Sequence, residues 1–70
     1  MSAKAITFDL LDRQPAGSKF KGHELELAVR TKTGQIHYPS TMLRYVREYR
    51  KKTGRDIKCI NKAKSLYQVG

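Results

Sequence analysis

The chain has 70 residues, with 15 lysines and arginines against six aspartates and glutamates, a net charge of +9 and a sequence pI near 10.1. That length supports one small domain, residues 1–70, which buries about 60% of the unfolded chain's surface. No run approaches the roughly 20 apolar residues of a membrane-spanning helix, and the early Asp9 and Asp12 do not fit a secretory signal.

Composition also argues against an enzyme. His23, His37 and Cys59 are too widely spaced for a metal-site signature. No Ser/His/Asp or Cys/His grouping, glycine-rich phosphate loop or paired carboxylates stand out, so no cofactor, metal or small-molecule ligand is expected. A single cysteine allows no internal disulfide, in keeping with a reducing compartment. The expectation is an intracellular protein of the cytoplasm or nucleoid. Its charge is uneven: residues 1–16 are neutral, 17–34 carry +2, 35–54 carry +4 and 55–70 carry +3. A face for a polyanion is therefore expected in the C-terminal half. A membrane surface would attract the same charge, but requires a broad apolar stripe with no core to compete for it, and the stripe here is narrow.

Along the chain, residues 3–13 come first. Ile6, Phe8 and Leu10 alternate as in a strand, yet Ala5, Phe8 and Leu11 with Ile6 and Leu10 also fit a helix buried on more than one side. The alanines and the Leu10-Leu11 pair favour helix. Pro15-Ala16-Gly17-Ser18 ends the segment, and Ser18-Lys19-Phe20 reads as extended with Phe20 inward. From about Lys21 or Gly22 to Thr33-Gly34, the spacing of Leu25, Ala28 and Val29 predicts a short helix with one core-facing stripe.

The segment from Tyr38 to Gly54 is the most informative. At about 100° per residue, Met42, Tyr45, Val46 and Tyr49 gather on one side, and Ser40, Arg44, Arg47 and Lys51 lie opposite. Ser40 or Thr41 is expected to cap its start, and Gly54 to end it in a left-handed conformation. Between Arg44 and Lys52 there are five cations against only Glu48, unlike the mixed signs of a solubilising surface.

After Gly54 the period changes. Ile57-Lys58-Cys59-Ile60 and Ser65-Leu66-Tyr67-Gln68-Val69, separated by Asn61-Lys62-Ala63-Lys64, predict a β-hairpin. Lys62 and Lys64 fall at its tip, with Arg55 and Lys58 further back. Cys59, in an apolar run, reads as a buried small hydrophobe. His23 and His37 read as surface or turn residues. The predicted class is α+β and helix-led, three helices followed by a C-terminal β-hairpin.

With ELELAV at 24–29, STMLRYVREYR at 40–50 and RDIKCINKAKSLYQV at 55–69 in this order, the chain resembles a winged helix-turn-helix DNA-binding domain over nearly its whole length. The match is one of order and polarity. The link Gly34–Pro39 is longer than that family's usual tight turn.

The resemblance implies a recognition helix at about 40–53 in the major groove and the hairpin 57–69 as wing, acting on double-stranded DNA as a small regulator of transcription or an accessory factor in recombination or replication. The N-terminal part of such a helix lies nearest the base edges, which here means Ser40, Thr41, Arg44 and Arg47. An arginine fork can bond guanine O6 and N7 together, worth roughly 1–3 kcal/mol of discrimination. Leu43, at the margin of the polar face, either touches a thymine methyl or packs in the core. Lys51, Lys52, Arg55, Lys58, Lys62 and Lys64 are assigned to the DNA backbone. Self-association into a homodimer is compatible with all of this.

Two alternatives stay open. Tyr38 and Tyr67 stacking on unpaired bases would make a single-stranded DNA or RNA binder. Winged helices also serve as protein-interaction modules, which would call for an exposed apolar patch that the sequence does not reveal.

Overall fold

A computed structural model describes residues 2–70, in the order α1 (Ala3–Asp12), β1 (Lys19–Lys21), α2 (Gly22–Thr33), α3 (Pro39–Thr53), β2 (Ile57–Asn61) and β3 (Leu66–Val69). The opening segment is thus a helix. Its first turn is capped by Ser2, whose hydroxyl accepts the Ala5 N–H at 3.1 Å, satisfying one of the free donors of a helix start. Ile6 and Leu11 face inward, and between them the fully buried Thr7 donates its hydroxyl to the Ala3 carbonyl at 2.8 Å.

The extended piece around Phe20 is β1, and it sits at one edge of an antiparallel sheet ordered β1-β3-β2. Phe20 pairs with Tyr67, and their rings stack with centroids 5.4 Å apart. Central β3 is held on both sides, since the chain around Gly17 and Ser18 continues the β1 pairing through Gly17 N–H to Val69 O at 2.6 Å and Val69 N–H to Ser18 O at 2.9 Å. This layout, with three helices packed on a small sheet that ends in a hairpin, is compatible with a winged helix.

Helix α2 begins where the Lys21 N–H donates to Glu24 Oε1 at 3.0 Å, and ends at Gly34, whose φ of +72° suits glycine. Helix α3 ends the same way at Gly54, again with φ +72°. Its start differs from expectation. Tyr38 is the N-cap residue and makes no side-chain capping bond, and Pro39 occupies the first turn. Proline lacks the N–H that would otherwise need a cap and has φ preset for helix, so the helix starts at the proline and Ser40 and Thr41 lie inside it.

One core joins all six elements. It comprises Ile6, Leu11, Phe20, Leu25, Val29, Met42, Val46, Tyr49, Ile57, Tyr67 and Val69. The inner stripe of α3 is Met42, Val46 and Tyr49, as its periodicity predicts, with Tyr45 half-buried beside it. Cys59 departs from expectation, for it is exposed. Strand β2 is an edge of the sheet, and Ile57 is its one fully buried residue. The hairpin also carries a bulge between Cys59 and Asn61, a device that protects strand edges.

The packing makes one outcome testable. Val46→Asp would place a carboxylate at a site only 5% exposed, at a cost of several kcal/mol against a total stability of about 5–15 kcal/mol. Circular dichroism should show the cooperative melt lost. A retained melt would mean that Val46 does not face the core.

Candidate nucleic-acid interface

Arg55, assigned by sequence to the DNA backbone, has its guanidinium turned inward. It donates from Nη1 to the Leu11 carbonyl at 2.8 Å and to the Tyr49 hydroxyl at 3.4 Å, and from Nη2 to the Gln14 carbonyl. The Tyr49 hydroxyl in turn donates to Asp12 Oδ1 at 2.6 Å. Leu11 and Gln14 lie at and just past the end of α1, where carbonyls lack their usual helical partner; the Leu11 carbonyl also accepts the Gln14 N–H at 3.1 Å, and a planar fork of donors suits such a cluster. Burial first, then the bond to Asp12, raises the Tyr49 pKa, with Arg55 opposing. Arg55 therefore fastens α1 to α3 and leaves the list of candidate phosphate contacts.

The outer face of α3 is free. Ser40, Arg44, Arg47, Arg50, Lys51 and Lys52 are exposed and Thr41 is half-buried. Glu48, the one acid of α3, pairs with Lys4 at 2.9 Å on the α1 flank. Lys52 leans the same way, with Nζ 5.7 Å from the Phe8 ring centroid. Among the described residues, no carboxylate lies within 4.0 Å of the charged nitrogens of Arg44, Arg47, Arg50 or Lys51. Arg44 rests over the Tyr45 ring at 5.8 Å from its centroid, a weak cation–π contact that still leaves its outer edge in solvent.

Arg50 was not singled out by sequence, yet with Arg47, Lys51, Gly54, Arg55 and Asp56 it lines a shallow depression of about 400 Å³ beside the start of β2. The signal for it was the cation count itself, since one helix wheel cannot say which way a flanking arginine leans. Arg47 lies within electrostatic reach of Tyr67. Burial is the main cause that raises that phenol's pKa, Cys59 adds to it, and Arg47 pulls it back. Lys62 and Lys64 are exposed at the hairpin turn, and Lys58 is exposed with Nζ 3.6 Å from Asp56 Oδ2.

Between α2, the first half of α3 and the hairpin turn runs a cleft of about 430 Å³, floored by Phe20, Leu25, Met42, Val46 and Tyr67. Its rim holds Leu43, which is 38% exposed, and Ile36 and Tyr38, each 76% exposed. An exposed apolar patch therefore does exist, beside the basic stripe. Tyr67, in contrast, is buried against Phe20, which removes one of the two tyrosines needed for base stacking.

The long α2–α3 link is anchored by Glu26, a buried acid that periodicity alone did not reveal. Arg30, one helical turn on, grips it bidentately, the His37 N–H donates to it at 3.4 Å, and the His37 ring packs against it, only 10% exposed. His37 is thus in the turn, as expected, but is not a surface side chain. His23 is exposed at the start of α2. The Arg30 hydrogen bond is the largest influence on Glu26 and, with the His37 N–H, holds its pKa below the ordinary 4.5 against the opposing effect of burial.

Among the described residues, no group of histidine, cysteine, aspartate and glutamate side chains is assembled to hold a metal, and no helix is long and apolar enough to cross a membrane. The sequence matches no family model, no curated protein and no solved structure.

Two outcomes follow from these contacts. Arg55→Ala leaves the Leu11 and Gln14 carbonyls without that donor, and should cost about 2 kcal/mol, a fall of about 10 °C in melting temperature for a chain this small, while leaving the salt dependence of any nucleic-acid binding unchanged. A carboxylate whose pKa is depressed by folding stabilises the fold above its unfolded pKa and stops doing so as pH falls through the folded value. Thermal melts of wild type and Glu26→Gln should therefore differ most near neutral pH and converge as pH falls below about 4.5. A gap independent of pH would mean that the Glu26 charge contributes nothing.

Proposed function

We propose that this protein binds double-stranded DNA, with α3 as the helix that enters the major groove and the β2–β3 hairpin as a wing that holds the phosphate backbone. The observation that carries this reading is the unpaired cationic stripe on a helix whose one acid is turned away to Lys4. Four exposed cations without acidic partners repel one another and gain most from a polyanion that they can share. Their separation from the apolar inner face leaves them free to bind without disturbing the core.

Within that reading, Arg44 and Arg47, with Ser40 and Thr41 one turn before, meet base edges. Arg50, Lys51, Lys62 and Lys64 contact phosphates, where a point charge suffices. Lys52 and Lys58 are peripheral, the first leaning to the α1 flank and the second sharing its charge with Asp56. A role as a regulator or accessory factor accords with a chain in which binding, rather than a reaction, is what the exposed residues support.

The test is a titration with duplex, matching single strand and RNA hairpin at several salt concentrations. About four phosphate contacts, or six if the peripheral Lys52 and Lys58 join them, should give a slope of log K against log[salt] of about −4 to −5 on duplex. On a selected site, Arg44→Ala and Arg47→Ala should each reduce discrimination between cognate and altered sequences. Lys62→Ala and Lys64→Ala should weaken every duplex alike and lower the slope by about one unit per contact. A slope near zero, or a preference for single strand at equal salt, would overturn the assignment.

A further inference from the structure

We infer that Ile36 and Tyr38, on the link between α2 and α3, form an apolar reading element that packs against the 5-methyl groups of thymines in the major groove; this rests on the duplex-binding proposal above. Residues 36–38 form no helix or strand, and Tyr38 has extended φ and ψ of −72° and 148°. His37 turns in, its ring packed against Glu26 and its N–H bonded to the same carboxylate. Ile36 and Tyr38, on either side of it, stand in solvent, each 76% exposed. Glu26, gripped by the half-exposed Arg30 and bonded by the His37 N–H, holds the link in place, so this presentation is imposed by the fold rather than left to a loose loop.

Large apolar side chains held in water side by side mark a surface awaiting a partner. The chemistry of that partner is narrowed by position. Tyr38 precedes Arg44 by six residues, about 9 Å of helix rise and about 120° around the axis, on the flank that borders the cleft, so a groove wall that closes around α3 beside Arg44 meets Tyr38. A major groove about 12 Å wide offers polar base edges throughout and a single kind of apolar group, the thymine methyl. Leu43 lines the same cleft and is also partly exposed. Arg44 and Arg47 would then select guanines, and the link would select thymines on the side nearer the start of α3.

The experiment selects a preferred duplex from a random pool with the wild-type protein, then replaces each thymine in turn with deoxyuridine, which removes only the methyl. Losing one buried methyl-sized contact corresponds to about fourfold in affinity. Wild type should lose about fourfold at one or two positions. Ile36→Ala and Tyr38→Ala should bind the thymine and uracil duplexes equally, with unchanged melting temperatures because both positions are exposed. Arg44→Ala should keep the methyl sensitivity. The inference is overturned if wild type binds every uracil duplex as well as the parent, if the alanine variants lose as much as wild type does, or if the selected site has no thymine. In those cases duplex binding itself stands, and Ile36 and Tyr38 become a face for a protein partner. Absence of any duplex binding at low salt would instead bring down the parent proposal together with this one.

Discussion

The Arg55 guanidinium is the contact on which the arrangement of the elements most depends. It follows α3 directly and reaches back across more than 40 residues of sequence to the carbonyls that end α1, while also touching the Tyr49 hydroxyl that Asp12 accepts. Tyr49 is 1% exposed and is among the largest fully buried side chains, so its polar end has to find partners or carry the cost of burial. Asp12 and Arg55 are those partners. A small core could be filled by many packings of similar volume; a directional cluster joining the end of α1, the inner face of α3 and the approach to β2 selects one of them.

The other end of α3 is set by a second polar group. Glu26 is gripped by Arg30 on its own helix and receives the His37 N–H from the link, so the approach to Pro39 is tied to the body of α2. With its beginning fixed through Glu26 and its end through Tyr49 and Arg55, α3 is a rigid support for whatever its outer face carries. Rigidity matters for recognition, because side chains on a fixed helix lose less freedom on binding than those on a mobile loop.

Charge is arranged with the same economy. The acids are used inside the molecule or at its flanks: Asp12 on Tyr49, Glu26 on Arg30, Glu48 on Lys4, Asp9 near Arg13 and Asp56 near Lys58. Each such pair on the surface adds little to stability, about 0–1 kcal/mol. Their larger effect is to leave positive charge uncompensated on the outer face of α3 and at the hairpin turn, as it also is at Lys19, Lys21 and Lys32. The apolar rim of Ile36, Tyr38 and Leu43 borders that same region, so a surface able to cover both must present anionic and apolar groups together.

The elements themselves could be read from local rules. Periodicity marked the inner stripe of α3, the Thr-Gly pairs marked two helix ends, and the change from a period of 3.6 to one of 2 marked the hairpin, because each depends on neighbours within a few residues. The basic stripe was visible for the same reason, as residues at 40, 44, 47 and 51 share a helix face whatever surrounds it. Other features depended on contacts between distant parts of the chain. Arg55 looked like a free cation until α1 supplied its acceptors, and Cys59 looked buried until β2 proved to be an uncovered edge. Tyr67 looked available until Phe20 stacked on it. Local sequence thus determined the helices, the strands and the charged face of α3, which need only short-range geometry. Which polar side chains are consumed internally, and which apolar ones stand in solvent, was decided by tertiary packing alone, because burial is a property of the neighbours that the fold brings together.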